Sequence, residues 1–595
     1  MKKLILMIAA VAMAATVYGV KALSVATTVT QSDGTQLTVR QYGDENFHYY
    51  ATTDGVLLRH IGSDFFIASV EADGSLTSTG QLAHEAGERS ADEQALITAQ
   101  DKELFFTAAA QQARRVAVRR EAIREDVTLL AHVDSPKVLV ILAEFSDLAF
   151  TVNQPYKTFY QYLNGDEQEN LGNYNTRNYG SVKTYFEDMS FGAFSPQFDI
   201  YGPVTLSQPL SYYGADDDYM SLFVPDVCTA VDDSVDFSLY DANGDGKVDL
   251  VYIIYAGYSE SIDGNSTDCI WPKSGTISGG TYDGVSVYRY GVNNELNYTE
   301  EYATSKGNIY VNGIGLFCHE FSHCLGLPDL YVTVSGDLQL ADNQEMEYWS
   351  IMDSGTYLYN GYAPPAYTAW EREALGWFTI DTLTEAGTVE LLPIDSGGKA
   401  YRIMNDNDTT GHEYFIIENI QQTGWNTRQY GHGMLVTHVD YDSDKFDIKT
   451  NAVNNEEGHP RMTVVAADGT LTNVYSLSTS SEAKEVYGGD PFPGTSAVTE
   501  LTDDGDVTPA VYNGDALGKP LYDITEDETA GTVTFCFLEE STEESEDTDD
   551  STGINNITTR ETSSATVYSA DGREMKSGTL PAGIYIVGGK KIAIK

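Results

Sequence analysis

His319-Glu320-Phe321-Ser322-His323 is the strongest chemical pattern in the chain. Two histidines at i and i+4 stand one turn apart on one face of a helix, so both imidazoles can reach a single ion. Glu320 projects beside them, placed to take a proton from a water at that ion without serving as a ligand. With 10 His in 595 residues, H-E-x-x-H arises by chance in roughly one such chain in a hundred. The pattern continues through Gly326, Pro328 and Asp329, which lowers chance to about one chain in ten thousand on the same arithmetic. Gly326 can take a left-handed conformation that ends the helix and turns the chain back, and Pro328 fixes that turn. Asp329 then arrives as an oxygen ligand. Two His and one carboxylate leave a fourth position open to water, the arrangement of a catalytic zinc and not of a structural one.

A second pattern is Asp241-Ala-Asn-Gly-Asp-Gly-Lys-Val-Asp249. Oxygens of Asp241, Asn243, Asp245 and Asp249 fall at positions 1, 3, 5 and 9, with Gly246 at 6, as in the front half of an EF-hand calcium loop. Tyr252 stands where the bidentate Glu would be, and a strand follows instead of a helix; an Asx-rich turn is the competing reading. Residues 490–494 and 503–506 read as plain turns. His432 and His438 lack ligand spacing to the His319 helix. Five cysteines make no disulfide framework and leave at least one thiol free. Cys318 and Cys324, six apart on one helix, cannot pair without breaking it; Cys228 and Cys269 could.

Elements must hold these residues in place. A helix is expected from near Gly313 to Gly326. Lys137-Val-Leu-Val-Ile-Leu-Ala-Glu-Phe145 is apolar on both faces and reads as a central strand, and Leu250-Val-Tyr-Ile-Ile-Tyr255 is a strand directly behind the Asp/Gly loop. Further helices are expected from about Ser181 and over residues 367–377, with Gly376 as a stop. Residues 23 to about 110 alternate short β-rich runs with turns at Gly43-Asp44 and Asp54-Gly55. From about Asp92 to Arg124 the pattern is helical and Ala-rich. It carries Arg114-Arg115 and Arg119-Arg120, either a solvated helix face or an exposed processing segment. From about 379 to 540 the chain shows only strands and turns, the pattern of a β-sandwich. Residues 539–550 hold eight acids and no base, a linker composition, and residues 565–572 and 582–587 return to a β pattern. No internal repeat suggests a solenoid.

Length and charge bound the rest. A chain of 595 residues is too long for one domain. Hydrophobic residues at 42% are enough for real cores. The 89 Asp+Glu against 35 Lys+Arg leave a net charge of -54, which repels a nucleic-acid backbone and an anionic membrane surface alike. Lys2-Lys3, an apolar run over residues 4–15, and then Gly19 and Ala22 follow the order of a secretory signal peptide, and the run is too short to cross a bilayer. No Cys follows it, so no lipoprotein anchor is expected, and no other run reaches the length of a membrane span.

Residues 319–331, His-Glu-Phe-Ser-His-Cys-Leu-Gly-Leu-Pro-Asp-Leu-Tyr, resemble the zinc helix of the immune inhibitor A-like secreted metalloproteases. The resemblance continues in residues 178–186, 189–194, 349–353 and 433–440, and residues 31–44 are similar to propeptides of such enzymes. It implies a secreted zinc endopeptidase made as a zymogen, with His319, His323 and Asp329 as zinc ligands, Glu320 as base and Met352 as an apolar floor beneath the metal. Ser354 departs from the larger metzincin group, in which a Tyr often follows that Met by two; this opens the identity of the oxyanion-stabilising group, for which Tyr357 and Tyr359 are candidates. The propeptide holds no Cys, which excludes a cysteine-to-zinc latch. Residues 580–587 and the stretch to Lys595 are similar to C-terminal sorting tails of type nine secretion, which implies attachment at the cell surface; a small β-appendage is the competing reading.

The expected fold class is α+β. A signal peptide over 1–22 and a propeptide over 23–135 precede a metzincin-like zinc protease domain over 136–378. A β-sandwich over 379–540, an acidic linker over 541–552 and a small β tail over 553–595 follow. Expected cofactors are zinc and calcium, and expected partners are protein or peptide substrates in the extracellular space, without nucleic acid. Two rival readings keep the fold: a non-catalytic adhesin, and a protease specialised for glycoproteins.

Overall fold

The computed structural model describes residues 17–23, 25–45, 47–108, 130, 133–165, 177–214, 219–262, 269–297, 310–333, 345–477, 480–539 and four short strands after 566. The chain forms two compact units, Met1–Ser541 and Thr542–Lys595.

The first unit is built on a six-stranded sheet. Its strands are β1 (Val17–Gly19), β2 (Lys137–Glu144), β3 (Gln197–Thr205), β4 (Val251–Tyr255), β5 (Lys273–Thr276) and β6 (Arg289–Asn294), in the spatial order β1-β5-β6-β4-β2-β3. β6, β4, β2 and β3 run parallel, while β5 is antiparallel to β6. β2 is the central strand its apolar run implies, because it packs on both faces. Val138, Val140 and Leu142 share one core with Phe186, Phe317 and Phe321, and Leu139, Ile141 and Ala143 share another with Phe223, Val224 and Val227. A strand covered on both faces loses the alternation of a half-exposed one.

Three helices lie over the first of these cores: α1 (Pro155–Asn164), α2 (Val182–Met189) and α3 (Ile314–Leu325). Ser181 starts α2 by accepting from the Thr184 amide while the Thr184 hydroxyl accepts from the Ser181 amide, a reciprocal cap. α3 is buried over all of its 12 residues, as a helix must be when it runs through the middle of a domain. Phe317 stacks on Tyr252 of β4 with ring centroids 3.9 Å apart. Tyr252, at position 12 of the Asp241 loop, is therefore a core residue. Gly326 ends α3 with φ 110°, the left-handed stop that the motif requires.

Flanking sheets complete the unit. Residues 27–82 form a six-stranded antiparallel sheet with neighbours in sequence order. The helical stretch expected from Asp92 divides into Ala91–Thr98 and residues 102–108; the two arginine doublets lie outside the described residues. After the short helix Ala369–Ala374, a five-stranded and a three-stranded sheet occupy residues 381–537. Their side chains meet in one core, with Ile403, Phe415, Met434 and Val436 from the first and Leu391, Leu521, Val533 and Phe535 from the second. This region also contains a helix, Ser480–Tyr487, where only strands and turns were expected. Ala483 and Tyr487 are buried at i and i+4, and a stripe that short leaves too few apolar residues to announce a period. None of the five cysteines, Cys228 and Cys269 among them, forms a disulfide.

The second unit contributes a four-stranded antiparallel sheet from Val567–Ser569, Glu574–Met575, Gly583–Val587 and Lys590–Ile594. No helix among the described residues is long and apolar enough to cross a membrane.

Candidate metal centre

The i, i+4 spacing on α3 brings the His319 and His323 Nε2 atoms within 3.1 Å of each other. Past Gly326 the chain folds back and sets Asp329 Oδ1 3.3 Å from the first and 3.2 Å from the second. All three side chains are buried. The Nδ1 atoms face backbone carbonyls, His319 to Ile351 at 2.7 Å and His323 to Leu327 at 2.8 Å. Those carbonyls require a proton on each Nδ1, which leaves both Nε2 lone pairs turned on each other and on a carboxylate oxygen. Three such acceptors converging in a buried space repel one another unless a cation lies between them. Among the described residues this is the one group of three His, Cys, Asp or Glu side chains with ligand atoms all within 4.8 Å. The donor set and its protonation fit zinc.

Residues 126–378 match the catalytic domain of the immune inhibitor A peptidases, M6. The pre-pro-metalloprotease PrtV of Vibrio cholerae serotype O1 is 26% identical over 279 residues, which cover 40% of this chain and 29% of that protein. Immune inhibitor A of Bacillus thuringiensis subsp. alesti is 26% identical over 286 residues, covering 40% of this chain and 39% of that protein. The likeness to the M6 immune inhibitor A peptidases covers residues 126–378. The chain spans 29% and 39% of the lengths of these two relatives.

Within the M6 domain Glu320 is fully buried, and neither of its carboxylate oxygens makes a hydrogen bond. Burial holds its carboxyl well above the usual carboxylate range, and the charges of Asp329 and Glu45 add to the rise; the Ser274 hydroxyl and the Val20 amide face it and pull the other way. Met352 is buried in the turn after Trp349, and its carbonyl accepts the Leu330 amide at 2.9 Å. The same turn supplies the Ile351 carbonyl that orients His319.

Asp329 is held by a residue that no motif pointed to. Asn451, 122 positions away, accepts the Asp329 amide at 2.7 Å and donates its own side-chain N–H to Asp329 Oδ2 at 2.5 Å. It lies beyond the family match. Tyr359 has left the site, with its ring under the Arg428 guanidinium at 4.1 Å. Tyr357 donates its hydroxyl to the Lys21 carbonyl at 2.8 Å. Tyr331 joins it from the end of the zinc motif, donating to the Gly19 carbonyl at 2.5 Å, and Trp271 Nε1 donates to the Val20 carbonyl at 2.9 Å.

Those carbonyls belong to a segment expected to leave with the signal peptide. β1 instead pairs antiparallel with β5, Val17 opposite Gly275 and Gly19 opposite Lys273, and the next residues run past Glu320 under the three aromatic donors. The Leu23 amide then donates to the Ser261 carbonyl at 2.9 Å. The N-terminal sheet covers this segment from outside through the Ala22 amide, which donates to the Gly43 carbonyl at 2.8 Å.

The remaining candidates lie elsewhere. His432 pairs with Glu526 at 2.8 Å and His438 with Glu413 at 3.0 Å, both apart from the metal group, as their spacing implied. In the Asp241 loop, Asp241 accepts the Asp245 and Gly246 amides, Asn243 accepts the Asp245 amide, and Asp249 accepts the Ala242 amide. These bonds describe an Asx-rich turn and add nothing to the sequence reading of calcium there.

Proposed function

We propose that the chain is an exported zinc endopeptidase made as a latent precursor. The observation that carries this reading is the convergence of two Nε2 lone pairs and one carboxylate oxygen beside a buried glutamate with no other hydrogen-bonding task. His319, His323 and Asp329 would hold the metal and Glu320 would be the general base. Zinc bound there supplies Lewis acidity to a carbonyl and makes water more acidic.

The chain's own residues account for the rest of the chemistry. A peptide lying as residues 17–23 do would add a strand to the edge of β5, its direction set by backbone pairing. Its carbonyls would be held by Tyr331, Trp271 and Tyr357, donors that read backbone and not side chains. Glu320 takes a proton from the attacking water and returns it to the leaving amide nitrogen, a role for which a carboxyl raised by burial is suited. The nitrogen of Val20, which faces Glu320, marks where that leaving group lies. Tyr331, with its hydroxyl on the preceding carbonyl, is the candidate for stabilising the oxyanion.

The same placement supports latency. Residues 17–23 fill the groove that a substrate would use, and the sheet of residues 27–82 presses on them. The word "pre-pro" in the name of the Vibrio relative agrees with a precursor. A leader ending at 22 would remove Lys21 from its buried place, so the leader would end upstream of it. We assign residues up to about 135 to the propeptide, 136–378 to the catalytic domain and 379–540 to a β-sandwich that supplies Asn451. The acidic linker and the C-terminal β tail would serve attachment or sorting outside the cell.

The test is Glu320→Ala in the exported, processed protein. Zinc content should stay at the parent level while hydrolysis of casein falls by about 10²–10⁴-fold, the usual yield of a general base. Digestion at the parent rate would overturn the reading.

A further inference from the structure

Lys21 is buried at 3% exposure, and its ammonium lies among three carboxylates. Asp353 is 3.3 Å away, and Glu345 and Glu347 are each 3.6 Å away. The rings of Tyr331 and Tyr475 flank the same ammonium at 5.5 and 5.2 Å, close enough for cation–π attraction. All three acids are essentially inaccessible to water. Three buried carboxyl groups around one ammonium make an arrangement that is costly to a fold unless the cation is present.

The acids and the cation differ in origin. Glu345, Glu347 and Asp353 belong to the M6 domain, and among the described residues their ion-pair partner is Lys21, from the segment ahead of it. Glu345 Oε2 is buried, makes no hydrogen bond and faces the ammonium. Glu347 is held with φ 45°, a left-handed conformation that non-glycine residues adopt mainly where surrounding structure forces it, as at ligand clamps. Burial pushes the Glu345 carboxyl well above its ordinary range and the Glu347 carboxyl up to about 7, against the pull of Lys21. Removing Lys21 on activation leaves a buried acidic pocket without its cation.

The position of Lys21 in the groove says what refills the pocket. Lys21 follows Val20, whose amide faces Glu320, and the carbonyls of Gly19, Val20 and Lys21 are those clamped by Tyr331, Trp271 and Tyr357. We infer that Glu345, Glu347 and Asp353 form a substrate subsite for a lysine or arginine side chain at the second residue after the scissile bond. The substrates would be basic peptide segments, and the net charge of -54 would steer them in. This rests on the peptidase reading above and adds the specificity to it.

The test uses four quenched fluorogenic peptides that share the frame Gly-Val-Lys-Ala of residues 19–22, with the Lys kept or replaced by Arg, Leu or Glu. The exported, processed, zinc-loaded protein should cleave the Gly–Val bond with kcat/KM at least about tenfold higher for Lys and Arg than for Leu, and lower again for Glu. Glu345→Gln, which keeps the acceptor for the Val332 amide, should shrink the Lys-to-Leu ratio by about threefold or more, a specificity change read as a difference in transition-state binding. Equal rates for Lys and Leu with chelator-sensitive cleavage intact would overturn the subsite and leave the peptidase standing. Failure to cleave any of the four, or casein, would overturn both. Where Glu345→Gln is not recovered folded, the four rates of the parent protein decide alone.

Discussion

Asn451 ties Asp329 down by both its backbone amide and its outer carboxylate oxygen, which leaves the inner oxygen aimed at the two histidines. Ligands that lie beyond a helix depend on such partners for their aim, and losing one typically costs about 10–100-fold in metal affinity. Asn451→Ala should therefore lose zinc to a chelator at about 10–100-fold lower free concentration than the parent, as measured by metal content after dialysis against a graded series. Unchanged retention would mean that the turn after Gly326 positions Asp329 unaided. At this scale the sequence is legible only where chemistry is local. His319, His323 and Asp329 fall within 11 consecutive positions, and helix geometry with one glycine stop brings them together. Nothing in the sequence marks Asn451 or Lys21, because each acquires its role from a chain segment far away.

Helix α3 can pass through the centre of the domain because it is narrow on one side. A methyl group added at Gly315 would lie 2.2 Å from the Thr356 carbonyl oxygen and 3.0 Å from the Gly361 Cα. Both are backbone atoms that no rotamer change can remove. Alanine is favoured over glycine in a helix interior by about 1 kcal/mol, but forcing extra volume into a packed contact costs about 1–3 kcal/mol. The contact wins. Gly315→Ala should lower the midpoint of chemical unfolding; an unchanged or raised midpoint would show that the turn after Met352 yields. Elements with a clear period or a strong stop were legible, among them β2, the Ser181 cap and the end of α3. The helix Ser480–Tyr487 was not, since a two-residue apolar stripe looks like any turn-rich stretch.

Across the whole molecule, the groove beside Glu320 is closed by chain that precedes the catalytic domain. On the proposed reading of a latent precursor, release requires a cut, and a cut within β2 would take a central strand from the sheet. The connector between about Arg114 and Asp134, which carries Arg114-Arg115 and Arg119-Arg120 ahead of β2, is where we propose that cut. The active species should begin within or after that connector, which N-terminal sequencing of the secreted protein determines directly. Full activity in a chain that still begins near residue 20 would show that the N-terminal sheet is an ordinary domain.

The sequence by itself picked out the group His319, His323 and Asp329, Glu320 beside it, the helix that carries them and the strand behind it, because each is a matter of spacing within one or two turns or one strand. It also placed the class of fold. Only the tertiary structure decided that β1 would join the sheet along β5, that Lys21 would sit among Glu345, Glu347 and Asp353, and that Asn451 would close the metal group from beyond the domain. These contacts join positions from 122 to 332 residues apart. Such pairings are chosen by which buried charge or unpaired strand edge needs a partner once the core has formed, and no local pattern records that need.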